Sequence, residues 1–113
     1  MSSVLNDRRT HPRYEALASV RARRVNSIPV VLVEANLVQV APQGIRITVD
    51  GPLIAGELLE LEILHPEMAS IFITAEVQWV ERSEEVGWLV GCGLRGELTR
   101  DQMVSLRGVA AGE

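Results

Sequence analysis

Apolar and polar residues alternate with a period of two along most of this chain, and no other feature constrains the fold as strongly. Ile45, Ile47 and Val49 alternate with Arg46, Thr48 and Asp50, and Leu59, Leu61 and Ile63 with Glu60 and Glu62. Ile71, Ile73, Ala75, Val77 and Trp79 stand opposite Phe72, Thr74, Glu76 and Gln78. Val86, Trp88, Val90, Cys92 and Leu94 stand opposite Gly87, Gly91 and Gly93. Successive strand side chains point to opposite faces, so each run predicts a strand with one buried face. Two earlier segments read more weakly. Leu17, Ser19 and Arg21 alternate with Ala18, Val20 and Ala22, and Val30 to Val40 is apolar enough for a strand buried for much of its length. Asn26-Ser27 with Pro29, Pro42-Gln43-Gly44, Asp50-Gly51-Pro52, His65-Pro66 and Ser83-Glu84-Glu85 punctuate the series as turns.

Six strands at such short spacing predict a mainly all-β domain, a closed or nearly closed antiparallel barrel. Leu98 to Arg107 adds a short C-terminal α-helix, with Thr99 and Gln102 as a capping box and Gly108 as its stop. On this pattern Trp79 and Trp88 face the core, and Cys92 is a small buried hydrophobe. Gly44 is expected as a turn glycine needing φ > 0. The glycines of the last strand would let it bend or let another backbone approach. The expected organisation is an arginine-rich flexible arm over 1–13, the barrel with its helix over 14–108, and a frayed tail over 109–113.

The chain has 113 residues, 47% hydrophobic and 23% charged, which suits one soluble globular domain. No apolar run approaches the length of a membrane span and the start has no apolar h-region, so a cytoplasmic location is expected. A single cysteine excludes an internal disulfide framework. The net charge of −4 conceals an asymmetry: six of the eleven arginines lie before residue 25, against only Asp7 and Glu15, and lysine is absent. Arg8, Arg9 and Arg13 fall within six residues of one another. A guanidinium offers five donors in a rigid fork and stacks on flat rings, so the cluster suits phosphates and purine edges. The bland alternative is a solvated basic arm. A basic arm on an acidic body argues against a general nucleic-acid coat, and 4% aromatic content argues against a base-stacking platform for single strands. His11 and His65 have no acid or cysteine at ligand spacing, so no metal is expected. With no nucleophile elbow or phosphate loop, neither is catalysis.

Together these pieces resemble a PilZ domain. Arg9-Thr10-His11-Pro12-Arg13 matches the family's RxxxR motif, with Arg8 as an extra guanidinium, and Val77-Gln78-Trp79 with Gly91-Cys92-Gly93-Leu94 matches its late strands. The resemblance covers nearly the whole chain and implies a six-stranded antiparallel barrel with a C-terminal helix, and the bacterial second messenger cyclic diguanylate (c-di-GMP) as ligand. It also implies that Arg9 and Arg13 grip phosphates and guanine edges while Arg8 stacks on a base. The family's second motif, D/N-x-S-x-x-G, falls on Gln39-Val40-Ala41-Pro42-Gln43-Gly44. Gly44 stands, but Gln39 replaces Asp or Asn and Ala41 replaces Ser. Asn36 lies eight residues before Gly44 and would serve only with a three-residue insertion. Gln39 keeps an amide that can meet a guanine edge, one methylene further out. Ala41 has lost its hydrogen bond. Two damaged contacts would weaken a site by roughly ten- to several-hundredfold.

Two functions fit this pattern. The first is a receptor or adaptor that binds c-di-GMP through the arm and signals to an effector protein, with Gln39, Ala41 and Gly44 as a weakened half-site. The alternative is a PilZ-like interaction module that no longer binds nucleotide. An RNA- or DNA-binding barrel is a third and weaker reading. Taken by itself, Gln39 reads as an ordinary polar residue near a strand end.

Overall fold

The computed structural model describes residues 14–26, 31–65, 69–85 and 87–111. Its strands are β1 (Tyr14–Arg24), β2 (Leu32–Ala41), β3 (Gly44–Val49), β4 (Leu58–Ile63), β5 (Ile71–Ser83) and β6 (Gly87–Leu94), followed by helix α1 (Arg100–Ala111). The strands are hydrogen-bonded in the order β1-β2-β3-β6-β5-β4, and β4 pairs back onto β1 to close the barrel. Every pairing is antiparallel. Closure leaves the sheet with no open side where another chain could add a strand along its full length.

Alternation decides which residues fill the barrel. Ala18, Val20 and Ala22 of β1 point inward, with Ile45, Ile47 and Val49 of β3 and Leu59, Leu61 and Ile63 of β4. Leu98, Met103 and Leu106 join the same core from the far end of the chain. The helix therefore packs against β1 as an integral part of the domain. Its start has the expected capping box: Gln102 N–H donates to Thr99 Oγ1 at 3.1 Å, and Thr99 N–H donates to Gln102 Oε1 at 2.8 Å. Its end departs from expectation. The helix runs through Gly108 to Ala111. Glycine inside a helix costs only about 1 kcal/mol relative to alanine, too little to end a helix by itself.

Ion pairs reinforce the β1–β4 seam on the outside. Arg21 faces Glu62, Arg23 faces Glu60 and Arg24 faces Glu57. Glu57 also accepts a hydrogen bond from the Ile54 N–H at 3.1 Å, and the Arg24 guanidinium holds its carboxyl below the usual carboxylate range.

Candidate functional site

Register sets the start of β1 beside the second sequence motif. Tyr14, the residue after Arg13, pairs with Val40, and Glu15 pairs with Gln39. The chain therefore enters β1 beside the second motif. Arg8, Arg9 and Arg13 themselves lie outside the described residues.

Register shifts on β1 itself between Glu15 and Ala18, and β-bulges on β2 and β5 shape the outer surface next to this entry point. Leu37 pairs with Ile47 but Gln39 pairs with Arg46, so Val38 is an extra residue on β2. Val77 pairs with Cys92 but Trp79 pairs with Gly91, so Gln78 is an extra residue on β5. An extra residue inverts the face presented by the remainder of its strand. Without the first bulge Gln39 would continue inward after Ala35 and Leu37. Without the second, Trp79 would continue inward after Ala75 and Val77. Both instead share the outer face with Arg46 and Gly91, in one row across four strands: Gln39, Arg46, Gly91, Trp79. Trp79 is thus not the core residue that alternation implied. Trp88 does pack against the core, with the Arg82 guanidinium 5.7 Å from its ring centre.

The chemistry of the row is that of a flat platform with unfilled polar atoms. The Trp79 indole lies against Gly91, where any Cβ would overlap it, and Gln78 covers Gly93 in the same way. Those glycines admit side chains folded over from β5, rather than a strand bend. The Arg46 guanidinium sits 5.3 Å from the Trp79 ring centre, within cation–π range. Gln39 Oε1 and Arg46 Nε are buried without a hydrogen-bond partner among the described residues. Buried polar atoms are nearly always satisfied, so this acceptor and this donor, on cross-strand paired residues, are open to each other, to water or to a polar ligand. Neither Arg46 nor Trp79 stands out in the sequence as a site residue. Their meeting depends on the bulges, which no residue type announces.

The rest of the second motif forms the adjoining rim. Ala41 ends β2, half-buried, and its methyl offers no hydrogen bond. Pro42 and Gln43 make a two-residue turn and Gly44 opens β3. Gly44 does not have a positive φ. The demand there is proximity, because an added Cβ would stand 3.1 Å from the Cys92 carbonyl oxygen on β6. The turn is held rigidly: Leu98 N–H donates to Pro42 O, Leu94 N–H to Gln43 O (both 2.9 Å), and Gln43 Nε2 to Glu97 Oε2 at 2.6 Å. A groove of about 380 Å³ runs along this rim, lined in part by Gln43, Gln78, Gly93, Arg95 and Glu97. Cys92 faces the core beneath it, and burial pushes its thiol up to about 12, so it is neither ionised nor nucleophilic at neutral pH.

If the platform is built this way, Gly91→Ala should unseat the indole. The expected result is a shifted Trp79 indole N–H resonance and a loss of about 1–3 kcal/mol of stability, the usual range for overpacking. An unchanged resonance would mean that the ring does not rest on Gly91.

A family model described as the PilZ domain matches residues 7–110. No curated protein matches the chain. Among solved structures, that of the Bacillus subtilis inhibitor of motility (MotI/DgrA) superposes with a TM-score of 0.66 at 18% identity, over 94% of this chain and 51% of that one. The chain therefore spans about half the length of that protein. The PilZ domain of YcgR from Escherichia coli, solved with c-di-GMP, superposes with a TM-score of 0.62 at 11% identity, over 94% of this chain and 91% of that one. At such identities the likeness is one of fold.

Proposed function

The chain belongs to the PilZ domain family, and we propose that it is a c-di-GMP receptor module of bacterial signalling, an adaptor rather than an enzyme. The observation that carries this reading is the register of Tyr14 with Val40. It sets the start of β1 beside the strand that carries Gln39, one strand from Arg46. That supports a site in which guanidiniums of the RxxxR arm, the sequence leading into β1, and a stacking surface on the barrel would address one ligand. Arginine supplies the charge for two phosphates, and the indole with its neighbouring guanidinium supplies a face for a base. The unpartnered Gln39 Oε1 supplies an acceptor for a base edge.

Ligand capture would favour the arrangement in which arm and barrel touch the same molecule. Only this difference in contact can shift the population of arm states, and the shifted arm is what an effector protein would read. Among the described residues no helix is long and apolar enough to cross a membrane.

Titration calorimetry with c-di-GMP tests the reading, and saturable heat is expected. No heat at high micromolar ligand would refute the receptor and favour the alternative of a barrel that docks a protein without nucleotide. In the double variant Gln39→Asp with Ala41→Ser, restored contacts should tighten c-di-GMP binding by roughly ten- to several-hundredfold. An unmoved affinity would show that this turn is not the second half of the site.

A further inference from the structure

Gln39 differs from an aspartate in more than length. A carboxylate only accepts hydrogen bonds, and so selects the adjacent N–H donors on the Watson–Crick edge of guanine. A carboxamide has one accepting oxygen and a donating NH₂ group. It pairs bidentately with the N6 amino group and N7 of adenine. It meets the N1–H and O6 of guanine equally well, oxygen to N–H and NH₂ to carbonyl.

Building on the receptor reading above, we propose that Gln39 removes the preference for guanine, so that the chain takes cyclic purine dinucleotides containing adenine as readily as c-di-GMP. The buried Oε1 of Gln39 has no donor among the described residues. The amino group of adenine satisfies it as well as the N1–H of guanine does. In the receptor reading the arm's guanidiniums hold the phosphates, which every cyclic dinucleotide carries, and the other members of the row do not depend on base identity. Trp79 and Arg46 offer stacking and cation–π contact, which any purine face accepts. Ala41 has no polar atom with which to reward guanine or penalise adenine. The buried Nε of Arg46, the other unpartnered atom of the row, can be met by N7, an acceptor that both purines carry, so the row contains no group that an adenine would leave unsatisfied.

The experiment is titration calorimetry of the full chain with c-di-GMP, c-di-AMP and the mixed guanosine–adenosine cyclic dinucleotide. Dissociation constants within about threefold of one another are expected for the native chain. Gln39→Asp should restore a preference for c-di-GMP over c-di-AMP of about tenfold or more, because adenine cannot fill both carboxylate oxygens. A native preference for c-di-GMP above about thirtyfold overturns the proposal while leaving the receptor reading intact. Equal affinities that Gln39→Asp leaves unchanged overturn the assignment to Gln39. A native preference that disappears in Glu15→Gln does the same, placing base reading on β1, where Glu15 is in register with Gln39. Absence of heat with all three nucleotides defeats the receptor reading and this inference together.

Discussion

Leu37→Ala is expected to lower the free energy of unfolding by about 2–5 kcal/mol, visible as a lower denaturant midpoint at unchanged slope. Leu37 is fully buried at the centre of the barrel. It pairs with Ala18 on one side and Ile47 on the other. Truncation removes three carbons from a closed shell of strands that cannot collapse inward without breaking register, so the cavity should persist. The total stability of a domain this size is only about 5–15 kcal/mol, so the variant should sit close to its unfolding threshold. Leu37 is also the last inward residue before the β2 bulge, and it holds the backbone from which Gln39 turns outward. Ligand binding by this variant should therefore weaken along with stability. Phe72→Ala is the control: Phe72 is 73% exposed, and its loss should change stability by no more than about 0.5 kcal/mol. Comparable losses from the two substitutions would contradict the packing described above.

The contrast between those two residues is legible in the amino-acid order. On β4, Leu59, Leu61 and Ile63 alternate with charges, and all three are buried. Phe72 falls on the opposite face of its strand from Ile71 and Ala75, as its position in the alternation implies. Helix α1 announces its start through Thr99 and Gln102. What alternation cannot disclose is a change of phase. Ala75-Glu76-Val77-Gln78-Trp79 reads as five unbroken steps, yet the bulge at Gln78 turns the last of them outward. The same holds at Val38, and so Arg46 and Trp79 are hidden in the sequence although Gln39 is not. Gln39 is located by its distance from Gly44, a count that a bulge does not alter. The surface formed by Gln39, Arg46 and Trp79 depends on the pairing of four strands. A bulge costs one residue of ladder, and only the partner strand shows where that residue falls.

Arg9→Ala combined with Arg13→Ala is expected to weaken c-di-GMP binding by roughly a hundredfold to ten-thousandfold, which at ordinary protein concentrations is loss of measurable heat. Each guanidinium is proposed to make charge-assisted hydrogen bonds with the ligand, worth about 1.5–3 kcal/mol apiece. The barrel offers little to replace them. Along the Gln39–Trp79 row Arg46 is the one cation, and it is already engaged with the indole. The rim's cation, Arg95, is paired with Glu76, and Glu97 leaves the rim with an excess of negative charge that would disfavour a phosphate left without its arginines. Stability provides the internal control. The substituted residues precede β1, so the unfolding midpoint of the ligand-free chain should stay where it was. Thermal stabilisation by ligand, which grows with ligand concentration over dissociation constant, should disappear. Arg9→Lys with Arg13→Lys separates charge from shape: lysine keeps the charge but loses the planar fork, so binding should be recovered only in part. Full recovery would mean that the arm acts as a diffuse positive charge. Affinity untouched by the double alanine variant would move the ligand off the arm altogether.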